Sequence, residues 1–403
     1  MTRKNYCPLP TLAAGDQRHA FSVLRVEQIE DIRVTAYEME HDTTGAKVLH
    51  LHCDDTENLY AIGFRTPPGD STGVPHILEH SVLAGSEKFP LKDAFNELHK
   101  GTLQTFINAF TYPDKTIYPV ASQVRSDFFN LARVYTDLVL RPRLLKESFY
   151  QEGHHLEFVD PDHPESELTI SGIVYNEMKG AYSSPDTLMF KAIQENLFPD
   201  NTYAHDSGGD PEAIPSLTYE QFKAFHRSYY SPTNARIFLY GDITTEDHLL
   251  FLAEMLSGFG RTDVDSLIVS QRRRENPAYR TGFYPLGKEE PAARKTTVNC
   301  AWMVAENTDI ETALLLKIAC AMLVGSSAGP LRKALIDSHL GEDLSPVTGM
   351  EADFKQMVFA VGLRGTDPEQ APLIESLIWK TLQKIYEDGF DPALVEGTIH
   401  QVE

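Results

Sequence analysis

The chain has 403 residues, 42% of them hydrophobic and 10% aromatic, which is enough for more than one packed core and far from a disordered composition. Its 58 acidic against 36 basic residues give a formal net charge of −22, which excludes nucleic-acid binding, a role that needs a positive surface. The same sign would steer a basic peptide inward, although an acidic surface serves solubility equally well.

The N-terminal stretch MTRKNYCPLPTLAAGDQRHAF has neither the apolar segment of a secretory signal nor the Arg- and Ser-rich pattern of a transit peptide. No run of about 18 apolar residues occurs, so no membrane partner is expected. Cys7, Cys53, Cys300 and Cys320 lie far apart without a CxxC pair, as reduced thiols do. Together these features read as a cytoplasmic, bacterial protein. Residues 31–66 carry the short apolar runs and turn residues of a strand meander. GDSTGVP then opens a helix, with Ser71 or Thr72 placed to cap it and Pro75 in its first turn, running through HILEHSVLAG to about Gly85. A short helix is expected over Lys92–Lys100, and two strands joined at Tyr112-Pro113-Asp114. Longer helices follow over VRSDFFNLARVYTDLVLRP and from about Glu167 past Glu177. HDSGGDPEAIPSLT reads as a loop, YEQFKAFHRSYY as a helix and ARIFLYGDI as a strand. Between 261 and 294 the pattern dissolves into charged, Pro-containing sequence, a linker between a first domain at 1–260 and a second at 295–403. The second domain alternates strand (KTTVNCAWMV), apolar helix (ETALLLKIACAMLV), strand (MVFAVGLRG) and helix from Glu369. It ends inside an amphipathic pattern, as a truncated domain would.

The HILEH segment carries the chemistry. His76 and His80 are four apart, so on a helix they share a face and can share a metal ion. Glu79 between them can act as general base toward a water that zinc acidifies, the inverted HxxEH arrangement. Two histidines making ordinary hydrogen bonds are the plain alternative. A catalytic zinc takes three protein ligands, and Glu177 in GIVYNEMKGAYSSP is the most attractive third. With Ile170, Ile173 and Val174 turned to a core, a helical Glu177 would sit on a buried stripe and need a partner, either a metal or a Lys or Arg. His99, His154 and His155 are rival donors.

GVPHILEHSVLAGSEKFP, FINAFTYPDKTIYPV, GIVYNEMKGAYSSP, SGGDPEAIPSLTYEQFKAFHRSYYSPTNARIFLYGDI and PLRKALIDSHLGEDLSPVTG together resemble the long-chain, presequence-protease branch of the pitrilysin/insulinase superfamily. The resemblance implies an α+β fold of two homologous pitrilysin/insulinase-type α/β domains, each a mostly antiparallel sheet packed with helices, the first bearing one zinc ion per chain. It implies Glu177 as the third ligand. It also implies that the FINAF strand receives peptide substrate by edge addition, with Asn108 bonding its backbone and Ala109 and Phe110 lining a subsite. Members of the branch close two halves around the peptide, and this chain is long enough for the N-terminal one, so the C-terminal half is an expected partner. The Arg and Tyr that the far half brings to the substrate have no counterpart here. The carboxylate that shorter-chain branches place seven residues before the third ligand falls on Ile170.

The function these features imply is a zinc-dependent endopeptidase for short unstructured peptides, such as targeting or signal peptides, in a closed chamber. A non-catalytic peptide-binding or assembly subunit is the alternative, and the complete set of His76, Glu79, His80 and Glu177 speaks against it. A structural zinc site would use four Cys or His ligands.

Overall fold

The computed structural model describes residues 7–402, so the first six residues of the N-terminal stretch and Glu403 lie outside the described residues. Packing divides the chain into two units, Met1–Met178 with Asp206–Leu267, and Lys179–His205 with Ile268–Glu403.

The first unit opens with β1 (Gln17–Arg18), β2 (Phe21–Ile29), β3 (Val34–His41), β4 (Lys47–His52) and β5 (Asn58–Arg65). β2, β3 and β4 form an antiparallel meander whose alternating pattern buries Phe21, Val23, Tyr37, Met39 and Val48. Next come α1 (Val74–Val82), α2 (Ala94–Gly101), β6 (Gln104–Ile107), β7 (Phe110–Thr111), β8 (Lys115–Ser122), α3 (Arg125–Leu140) and α4 (Lys146–Glu152). A short hairpin, β9 (His155–Phe158) with β10 (Leu168–Ser171), leads to α5 (Ile173–Ala181) and α6 (Pro185–Leu197), the latter in the second unit. α7 (Tyr219–Tyr229), β11 (Ala235–Gly241) and α8 (Thr245–Met255) complete the unit. The sheet order is β1-β2-β3-β4-β11-β5-β8-β6, with β7 also on β8. β11 enters the centre parallel to β4 and antiparallel to β5. β6 and β7 therefore form one edge of the sheet. The meander expected over 31–66 holds only from β3 to β4, because β11 lies between β4 and β5.

Two further sequence expectations change here. α1 is entered from Gly73 in a left-handed conformation, with no side-chain cap. Ser71 is engaged elsewhere, its carbonyl accepting from the Asp210 N–H and its hydroxyl from the Asp206 N–H, while Thr72 bonds Asp70. A side chain at Gly73 would meet the Gly208 carbonyl oxygen at 2.7 Å, so glycine lets the 206–210 loop press on the start of α1. The second change is at Leu168–Ser171, expected as helix and found as β10, because LTIS pairs with HLEF of β9. The following helix starts at Ile173.

The second unit continues with β12 (Thr296–Glu306), α9 (Ile310–Val324), α10 (Pro330–Asp337), β13 (Asp343–Leu344), β14 (Gly349–Glu351), β15 (Gln356–Thr366), α11 (Ala371–Asp388) and α12 (Pro392–Val402). β15 is the centre of an antiparallel sheet with β12 on one side and β13 and β14 on the other. Leu331, Leu335, Val361, Leu363, Ile374 and Ile378 make its main core. α6 belongs to this unit although the first domain was expected to run through residue 260. Its Phe190, Ile193 and Leu197, with Phe198 and Tyr203, pack on Phe354 and Val358, and that apolar burial outweighs sequence proximity. No helix or strand lies between residues 261 and 294, the stretch expected as linker. No described helix is long and apolar enough to cross a membrane.

Candidate metal centre

α1 is anchored by Ile77, Leu78 and Val82, all fully buried, each contributing on the order of 1.5–3 kcal/mol by burial. That anchoring fixes the opposite positions, His76 and His80, whose ring centroids stand 5.0 Å apart with planes at 78°. Each ring is held through Nδ1. His76 Nδ1 lies 3.1 Å from the Gly208 carbonyl oxygen, and His80 Nδ1 lies 3.2 Å from a carboxylate oxygen of Glu152. A carbonyl and an ionised carboxylate only accept, so each contact calls for a hydrogen on Nδ1, and the neutral ring then presents its lone pair at Nε2. Both Nε2 atoms face Glu177, at 3.6 Å from His76 and 3.9 Å from His80.

The three donor atoms lie within 4.8 Å of one another, and among the described residues no other group of three or more His, Cys, Asp or Glu approaches so closely. Ligand atoms ~2.1 Å from a shared zinc stand roughly 3.4 Å apart, so small side-chain rotations bring this set to ligand distances. Two imidazoles and one carboxylate suit zinc with one position open. The residues fit the ion. Electrostatics agree: burial alone would lower the His80 imidazole, yet the Glu152 hydrogen bond and the charges of Glu79, Glu152 and Glu177 together raise it. A field that favours an imidazolium also favours a divalent cation.

Glu79 stands outside the donor set. Thr111 on β7 donates its hydroxyl to one Glu79 carboxylate oxygen at 2.6 Å, which leaves the other oxygen for a water. Glu79 and the sheet edge are therefore joined. At that edge Asn108 and Phe110 are exposed and Ala109 is buried, so Phe110 offers side-chain surface where Ala109 offers little. Asn108 Oδ1 accepts from the Ala109 N–H at 2.9 Å, and Phe110 stacks on Phe106 with centroids 6.3 Å apart.

Glu177 reaches the site by a different route from the one expected. Ile170 is on β10, the buried face of α5 consists of Val174 and Met178, and the Glu177 side chain is 54% exposed. The rival donors go elsewhere: His154 to the Leu217 carbonyl, His155 to the Tyr150 carbonyl and His99 to Gln104. Sequence reasoning missed Glu152, Thr111 and the Gly208 carbonyl, whose contacts span 72, 32 and 132 residues and leave no local pattern.

A family model described as the peptidase M16 inactive domain matches residues 216–402. The chain is 43% identical over 386 residues to protein HypA of Clostridium perfringens, covering 95% of this chain and 39% of that protein. It is 42% identical over 392 residues to presequence protease 1, chloroplastic/mitochondrial, of Arabidopsis thaliana, covering 96% and 36%. Residues 216–402 carry the M16 family match, and nearly the whole chain is similar to a protein named presequence protease. Solved M16 structures share its fold: an M16 inactive domain from Pseudomonas fluorescens has a TM-score of 0.68 at 17% identity, covering 92% of this chain and 83% of that one. Pitrilysin has a TM-score of 0.63 at 17% identity, covering 93% and 39%. The chain spans about two fifths of the length of the curated relatives it matches. The stretch matched by the inactive-domain model begins after Glu177, so it includes none of His76, Glu79, His80 and Glu177.

Proposed function

We propose that this chain is the zinc-bearing part of an endopeptidase that hydrolyses short unstructured peptides in the cytoplasm. One observation carries the reading: His76, His80 and Glu177 converge on one point while Glu79 stands beside them, uncommitted on one carboxylate oxygen. When bound, zinc supplies a Lewis acid that acidifies water and polarises a carbonyl. Glu79 takes the proton from the attacking water and delivers it to the leaving amine. The Thr111 hydroxyl keeps the carboxylate turned to that task. The peptide adds as a strand along the β6–β7 edge, where main-chain hydrogen bonds read sequence weakly. Asn108 bonds its backbone near the scissile bond, and Phe110 offers an apolar surface. Relatives named presequence protease support peptides of the targeting or signal class as substrates. Further chain closes the chamber in this reading, so these 403 residues bind zinc but cleave poorly alone.

The inactive-domain description favours a second reading, a non-catalytic peptide-binding subunit. Hydrolysis of an unstructured peptide by the 403-residue chain, with and without the additional length its relatives have, separates the two. Zinc-dependent cleavage that rises with the added chain supports the endopeptidase. No cleavage under either condition supports the subunit, and full activity of the 403 residues alone contradicts the two-half argument.

A further inference from the structure

We propose that Glu152 is a positioning residue for the metal, fixing the His80 imidazole as an Nε2 ligand and strengthening its hold on zinc. Glu152 closes α4, its side chain is only 12% exposed, and among the described residues no Lys or Arg pairs with it. One carboxylate oxygen lies 3.2 Å from His80 Nδ1, and the other accepts from the Gln151 side-chain amide at 3.0 Å. A carboxylate so little exposed is costly without a charged or hydrogen-bonding partner, and here the partner is the ring whose other nitrogen faces Glu177.

The backbone is shaped for this approach. A Cβ at Gly153 would stand 2.8 Å from the Phe149 carbonyl oxygen of α4 and 3.3 Å from Ile77 of α1, so glycine suits the point where the end of α4 lies against that helix. A Cβ at Gly172 would stand 2.1 Å from the Gly153 carbonyl oxygen, so the residue that leads into α5 is pressed on the same point. Glu152, His80 and Glu177 are thus carried by three helices meeting at two glycines. His76 is held by the neutral Gly208 carbonyl instead, so the two histidines are unequal ligands. The carboxylate pulls the Nδ1 proton toward itself and leaves more electron density on Nε2.

The inference rests on the zinc reading, and the experiment separates the two. Zinc affinity is measured by competition with a chromogenic chelator for the wild-type chain, Glu152→Gln and Glu152→Ala. Imidazole ¹⁵N shifts of the zinc-free proteins report the His80 tautomer. Expected are a wild type with His80 protonated at Nδ1, a loss of about 10- to 100-fold in affinity for Glu152→Ala with a mixed tautomer, and a smaller loss for the near-isosteric Glu152→Gln. Wild-type affinity and an unchanged His80 tautomer in either folded variant would overturn the role of Glu152. Absence of zinc binding in the wild type would instead overturn the zinc reading itself.

Discussion

In the proposed mechanism Glu79 and Glu177, two carboxylates near the same histidines, divide between base and ligand. Glu177 points its carboxylate at both Nε2 atoms, whereas Glu79 is turned aside by the Thr111 hydroxyl. The division predicts opposite phenotypes. Glu79→Gln should keep zinc at wild-type stoichiometry and lower kcat by about 10²- to 10⁴-fold, the usual contribution of a general base. Glu177→Ala should weaken zinc binding itself. Elemental analysis beside peptide hydrolysis tests both, and loss of zinc from Glu79→Gln would mean that the roles are wrongly assigned. Thr111→Val should behave as a milder Glu79→Gln, with kcat reduced, zinc retained, and Thr111→Ser restoring the rate.

At the scale of elements, the α1 histidines were legible because a four-residue spacing is a property of one helix. Glu177 was picked out for its place in a motif, but the physical reason first offered, a buried helical stripe from Ile170, fails because β9 draws Ile170 into a strand. Glu152 carries no local signal, since its contact with His80 depends on how α4 and α1 dock. That docking turns on glycines, whose lack of a side chain is silent in a hydrophobic pattern. Gly172→Ala should therefore destabilise the fold by about 1–3 kcal/mol, as overpacking does. The added carbon would meet the Gly153 carbonyl at 2.1 Å. Chemical denaturation measures the loss, and chelator competition should show weaker zinc binding in the same variant. A Gly172→Ala protein of unchanged stability and affinity would show that the close approach is not needed.

The whole molecule should be sensitive to acid through histidines other than His76 and His80. His50 and His52 on β4 and His248 on α8 form a ring cluster, with the His248 ring centroid 4.7 Å from that of His50. Neither ring nitrogen of His248 has a hydrogen-bond partner among the described residues. Burial lowers all three imidazoles, His248 to about 3, and lowers His226 to about 4. The folded state holds these rings neutral, while an unfolded chain takes up protons near 6.5. Stability should therefore be full above that pH and fall as pH drops below it, by up to about 1.4 kcal/mol per unit for each ring, until the folded-state values are reached. Urea unfolding at pH 7 and pH 5 measures the slope, and His248→Leu should flatten it. His76 and His80 are tested most directly by the zinc content of the purified chain beside that of the His76→Ala/His80→Ala double variant. One zinc per wild-type chain and none in the double variant are expected. A metal-free wild type, or zinc retained without both imidazoles, would contradict the zinc assignment.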